Sequence, residues 1–167
     1  SSRSLSRDGA LPSVRNPRNE VDSMQREYPS APRVGVGAVV IDGEAVLMVK
    51  RANEPNKGLW GLPGGLVELD ETLAEAVRRE VAEETTLAVE VGPIVDVFEP
   101  IIRDTQQRIR YHYVVIDFLA YRRSGTAVAA SDAAEVRWIS ANALEDYPMH
   151  PETAHMIRRA WVLHHTR

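Results

Sequence analysis

No cysteine occurs among the 167 residues. That excludes a disulfide framework, a thiolate metal site and a cysteine nucleophile, and it suits a reducing, cytoplasmic setting. No stretch approaches the roughly 18 uninterrupted apolar residues that a membrane-spanning helix needs, so no membrane partner is expected. No apolar signal-peptide core follows the first residues. Basic excess is lacking too: 20 Lys and Arg stand against 24 Asp and Glu, a formal charge of −4. A surface that tracks phosphate backbones is normally basic, so nucleic acid is not an expected partner. What is present, 44% hydrophobic and 26% charged residues, is the composition of a globular chain. Its length is that of one domain, or of one domain with a tail.

The first thirty or so residues lack any period of 2 or 3.6. Residues 1–32 mix Ser, Arg, Pro and Asn with single apolar side chains, too few to offset the entropy of ordering. They read as a polar, flexible tail ahead of a domain at 33–167, and Met24 is a candidate native start. The alternative is an arm that docks through Leu11, Val14 and Tyr28 on the domain or on a second subunit of a homodimer. From Arg33 the patterns become regular. Val34–Ile41 and Ala45–Val49 read as strands of a hairpin turning at Asp42-Gly43. Leu87–Phe98, Arg110–Tyr121 and Glu135–Ile139 read as further strands. Glu71–Thr86 has apolar residues four apart and no internal Gly or Pro, which predicts a helix. Pro151 suits the first position of a last helix carrying Met156, Ile157, Ala160 and Trp161.

The first of these helices carries its acids in an unfavourable place. At 100° per residue Leu73, Val77, Glu80 and Glu84 fall in one narrow sector, with Glu83 at its edge. Two carboxylates therefore extend the core-facing stripe. Glu80 and Glu84 are a like-charge i, i+4 pair, and all three acids sit in the C-terminal half, where the helix dipole favours cations. A divalent cation reverses all three penalties, and hard oxygen ligands suit Mg²⁺ or Mn²⁺. The plainer reading is a solvated face with ordinary pairs such as Glu75–Arg79.

The residues before the helix complete a longer pattern. Gly65, five residues, Glu71, seven residues, then Arg79-Glu80-Val81-Ala82-Glu83-Glu84-Thr85-Thr86-Leu87 closely resembles the Nudix box, G-x5-E-x7-R-E-U-x-E-E-x-G-U with U a bulky aliphatic. Arg51, Lys57-Gly58-Leu59-Trp60 and Leu62-Pro63-Gly64-Gly65 resemble the family's approach to that box. One position departs: Thr86 stands where the family has glycine. Helices commonly end there in a left-handed residue, which a β-branched side chain resists, so a different helix exit is expected.

The resemblance implies an α/β/α sandwich with a mixed central sheet. It also implies hydrolysis of a nucleoside diphosphate linked to another group, with Mg²⁺ or Mn²⁺ as cofactor and a nucleotide as small-molecule partner. By matching positions, Glu80, Glu83 and Glu84 become metal ligands, with the Gly64 carbonyl beside them; Arg79 holds the carboxylates and Glu71 supports it. Arg51 is a candidate phosphate fork. Asp132 is the first candidate for a further catalytic carboxylate, Glu135 the second and Asp104 the third. Phe98, Tyr111 and Tyr113 offer rings for stacking on a base, with core packing the alternative use; His112 and His150 are lone histidines with no assigned role. Pro100, thirteen residues after Leu87, lies near a spacing typical of the ADP-ribose pyrophosphatase-like group, where it would stiffen a substrate loop; ending a strand is its plainer use. ADP-ribose is accordingly the favoured substrate. The competing readings are house-cleaning of nucleoside triphosphates and a noncatalytic nucleotide-sensing module.

Overall fold

The computed structural model describes residues 26–54 and 56–166. The tail expectation, with Leu11, Val14 and Met24, thus lies outside the described residues up to position 25. The last part of that segment is fastened: the Tyr28 N–H donates to the Arg110 carbonyl at 2.8 Å, and its hydroxyl donates to Asp104 at 3.0 Å. Of the three residues named for a docking arm, Tyr28 is in place.

Among the described residues, eight strands form one mixed sheet. In chain order they are β1 (Arg33–Asp42), β2 (Ala45–Arg51), β3 (Trp60–Gly61), β4 (Gly64–Leu66), β5 (Ala88–Phe98), β6 (Ile101–Arg103), β7 (Ile109–Ser124) and β8 (Ala133–Ser140). The central order is β3-β2-β1-β7-β5, with β4 on β1, β6 on β7 and β8 on β2. β1 and β7 run parallel, from Arg33↔Tyr113 to Ile41↔Tyr121, and the other pairs are antiparallel. The helices α1 (Leu73–Thr85) and α2 (Pro151–His165) flank the sheet. Between β8 and α2 runs a 3₁₀ segment, Ala141–Asp146.

Strand alternation explains why both faces need a helix. On β1, Val36, Ala38 and Val40 pack with Val77 and Val81 of α1. The intervening Val39 and Ile41 pack with Met156, Ile157 and Ala160 of α2. A strand buried on both sides reads as an unbroken apolar run, as Ala38–Ile41 does. Among the described residues no helix is long and apolar enough to cross a membrane.

Helix α1 is shorter than the sequence pattern suggests. Thr72 is its N-cap and forms a capping box: Thr72 Oγ1 accepts from the Glu75 N–H at 3.2 Å and Glu75 accepts from the Thr72 N–H at 2.9 Å. Glu71 therefore lies outside the helix, and Glu75 is a cap rather than the partner of Arg79. At the other end Thr86 itself adopts the left-handed conformation, φ 63° and ψ 7°. This corrects the expectation of a different exit. The helix ends as a glycine would end it, and Thr86 Oγ1 donates to the Thr126 carbonyl at 2.8 Å, offsetting strain on the order of 1–2 kcal/mol.

Candidate active site

Arg79 organises the box. Its Nε donates to Glu71 Oε2 at 2.6 Å and its Nη2 to Glu71 Oε1 at 2.8 Å, a two-point fork that holds the Glu71 carboxyl below its usual range. Nη2 also donates to the Leu66 carbonyl at 3.0 Å, and Nη1 to Glu80 at 2.7 Å and Glu83 at 3.4 Å. One guanidinium thus links the segment before the helix to two of its acids. Glu71 completes this by accepting from the Glu68 N–H at 3.1 Å.

Glu84 faces inward, 8% exposed. Burial, then the charges of Asp132 and Glu80, push its carboxyl up to about 8, opposed by a hydrogen bond from the Gly64 N–H and by Arg51. Burial likewise raises Glu80, against the pull of Arg79 and with the charges of Glu83 and Asp132 adding to it. The Glu80 carboxyl lies over Gly65, filling the space a Cβ there would take. Glu83 is half-exposed and turned to Arg79.

Asp132 arrives from the far end of the chain by two constraints. The β2–β8 register pairs Arg51 with Ala133 across a bulge, and the Ala52 N–H donates to the Asp132 carbonyl at 3.2 Å. The preceding loop is tied to the end of α1: Val128 N–H donates to the Thr85 carbonyl and Ala130 N–H to the Glu84 carbonyl, both at 3.0 Å. Those bonds satisfy carbonyls that a helix end leaves open and bring Asp132 near Glu84.

The result is a cleft of about 210 Å³, with Arg51, Gly64, Glu84 and Asp132 on its wall. Leu62, from the approach to the box, also lines it, as do Asn53, Asn56 and Thr153, which the sequence pattern does not single out. The other candidates lie elsewhere. Glu135 sits opposite Lys50 with Arg137 at 3.8 Å. Asp104 is spent on Tyr28 and Arg108. Tyr111 is buried, stacked on Tyr113 at 6.1 Å, with its hydroxyl donating to Glu27 at 2.9 Å. Phe98 packs against the core under α2. Pro100 joins β5 to β6, its carbonyl accepting from the Tyr113 N–H at 3.1 Å. His150 caps α2, its Nδ1 accepting from the Glu152 N–H at 3.1 Å, and His112 lies opposite Ile101 on the β6–β7 ladder.

Among the described residues, no three acidic or imidazole side chains already close around one point. The donor set nevertheless fits a hard divalent cation. Glu84, Glu80 and Asp132 repel one another across a partly dry space, and Glu80 and Glu83 are gathered toward the single cation of Arg79.

Fold and site together define an α/β protein with a cleft lined by Arg51, Glu84 and Asp132. A NUDIX domain model matches residues 31–160, and the chain belongs to the Nudix family. It is 37% identical over 113 residues to an ADP-ribose pyrophosphatase of Methanocaldococcus jannaschii, covering 68% of this chain and 64% of that relative, a little under two thirds of its length. A MutT NUDIX hydrolase from Burkholderia pseudomallei superposes with a TM-score of 0.66 at 29% identity, over 78% of this chain and 98% of that one. The NUDIX domain of Shewanella oneidensis NrtR, complexed with ADP ribose, superposes with a TM-score of 0.64 at 26% identity, over 80% and 89%.

Proposed function

We propose that the chain is a divalent-metal-dependent pyrophosphohydrolase acting on nucleoside diphosphate derivatives, with ADP-ribose the preferred substrate, Mg²⁺ or Mn²⁺ the ion, and the cytoplasm its setting. The observation that carries this reading is the convergence of Glu84, Asp132, Gly64 and Arg51 on one cleft, beside a helix end whose acids repel one another. The similarity to an ADP-ribose pyrophosphatase and to a domain complexed with ADP ribose supports the choice of substrate.

Glu80, Glu83 and Glu84 would hold the ion, with Gly64 beside them. When bound it supplies neutralisation of the pyrophosphate and a water activated near neutral pH. The chain's own residues do the rest. Arg51 binds phosphate oxygens in the cleft, where positioning and positive charge account for most of phosphoryl-transfer catalysis. Arg79 fixes the Glu80 and Glu83 carboxylates, and Glu71 keeps its guanidinium in place. Asp132, on the cleft wall, would take a proton from the attacking water.

The test is a panel of ADP-ribose, dinucleotides, nucleotide sugars and nucleoside triphosphates incubated with Mg²⁺ or Mn²⁺, with products identified. The reading predicts AMP and ribose 5-phosphate from ADP-ribose. Intact ADP-ribose beside a triphosphate converted to its monophosphate would favour the house-cleaning reading, which the likeness to a MutT hydrolase supports. Binding without turnover of any member would favour the sensing module.

A further inference from the structure

Midway along β7 the apolar run Val114–Leu119 is interrupted by Asp117, which is 7% exposed. Its carboxylate makes no hydrogen bond or ion pair among the described residues. The charge that acts on it is that of Asp96, its partner across the β5–β7 ladder, and Asp96 is itself held by Arg159 of α2 at 3.2 Å. Burial and Asp96 together push Asp117 up to about 6. Taking a carboxyl largely out of water without giving it a donor carries a free-energy cost. The same position on a β-sheet would take valine or leucine at no such cost, as Val115 and Leu119 show two residues away on either side.

Asp117 neighbours the segment that carries one part of the cleft wall. On the neighbouring strand its register partner is Gly37, and the carboxylate occupies the space a Cβ there would need. The Pro63 carbonyl lies 3.7 Å from that same point, and Leu62 and Gly64, on either side of Pro63, line the cleft with Glu84. On the other flank, Phe98 shares a face of β5 with Asp96 by two-residue alternation. Its ring lies 6.1 Å from that of His150, three residues before Thr153 on the cleft wall. A hydrogen-bond acceptor with no donor among the described residues thus stands next to Gly37, close to the Pro63 segment of the cleft wall, with Phe98 diagonal to it across the β5–β7 ladder.

We propose that Asp117 is a specificity-determining residue for the nucleoside half of the substrate, its carboxylate accepting from an N–H of the base or an O–H of the ribose next to the Phe98–His150 rings. This rests on the reading of the chain as a nucleotide-cleaving enzyme. The mechanism described above does not use Asp117.

Calorimetric binding of AMP tests the assignment without requiring turnover. Asp117→Leu should bind AMP at least tenfold more weakly than the wild type while melting at the same temperature or higher, and Asp117→Asn, which keeps an acceptor, should fall between. The gap between wild type and Asp117→Leu should vanish for purine riboside 5′-monophosphate if the base amine is the donor. It should vanish for 2′,3′-dideoxy-AMP if the donor is a ribose hydroxyl. Equal AMP affinity in both proteins, no AMP binding by the wild type, a gap retained with both analogues, or a lowered melting temperature in both variants would overturn the proposal. A wild type that binds AMP through Asp117 yet leaves every phosphoanhydride intact would instead remove the hydrolase reading.

Discussion

A carboxyl raised to about 8 by burial, as Glu84 is, makes stability depend on pH in a defined direction. Below about 4.5 Glu84 is protonated in both folded and unfolded chains and contributes no difference. Between 4.5 and 8 the folded state binds the extra proton, so stability falls as pH rises, and above 8 the loss is complete. Glu80 is shifted the same way. Metal-free protein should therefore melt higher at pH 5 than at pH 8.5, by an amount on the order of a few kcal/mol, and millimolar Mg²⁺ should close the gap. Glu84→Gln should make the profile shallower, leaving the parts due to Glu80 and Asp117, and raise the melting temperature in EDTA. A flat wild-type profile would mean that Glu84 is not held as described. Arg79 offers the complementary residue test. Arg79→Lys keeps the charge but loses the two-point grip on Glu71, so kcat should drop by roughly a hundredfold while the fold persists, as circular dichroism can check. The inward turn of Glu84 was legible from helical spacing alone. The signal of Asp117, an acid inside an apolar strand, also stands in the sequence, outside the box motif.

At the scale of elements, the acidic helix stands where its apolar spacing and lack of Gly and Pro put it, and nearly at that length. Its ends depart from the pattern for a local reason. Thr72 outcompetes Glu71 as the start by capping the Glu75 N–H, and the exit is fixed by a loop forty residues away that no local pattern reveals. Thr86→Gly should relieve the left-handed strain, on the order of 1–2 kcal/mol, against the loss of one exposed hydroxyl hydrogen bond and some added chain entropy. The net expectation is a gain of about 0.5 kcal/mol, a rise of a few degrees by calorimetry; a clear loss would show that the Thr86–Thr126 bond carries more than the strain. Gly64→Ala should behave oppositely, because a Cβ there runs into the Val36 carbonyl and the backbone of Gly37. A loss of more than about 2 kcal/mol is expected, together with a displaced cleft wall.

For the whole molecule, the sheet flanked by helices followed from the order of patterns and from the family resemblance. The cleft was legible where its residues come from one contiguous motif. It was less so where tertiary register supplies them: Asp132 reaches Glu84 because β8 pairs with β2, and Asn53, Asn56 and Thr153 join only once loops and α2 are in position. Tyr111, Phe98 and Pro100 lie off the wall of this cleft, Tyr111 with its hydroxyl on Glu27 and Phe98 against the core under α2, neighbours that spacing does not show. Removal of residues 1–23 keeps Glu27 and Tyr28 and their bonds to Tyr111 and Asp104, so the melting temperature should hold within about two degrees; removal through Tyr28 should lower it further. The measurement that bears most directly on the cleft is hydrolysis of ADP-ribose by wild type, Glu80→Gln and Glu84→Gln in a Mg²⁺ titration, with an EDTA control. Wild-type turnover should rise with Mg²⁺ and vanish in EDTA, and both variants should lose at least a hundredfold in kcat while remaining folded. Full Mg²⁺-dependent activity in both variants would contradict the assignment of this cleft as the metal-dependent site.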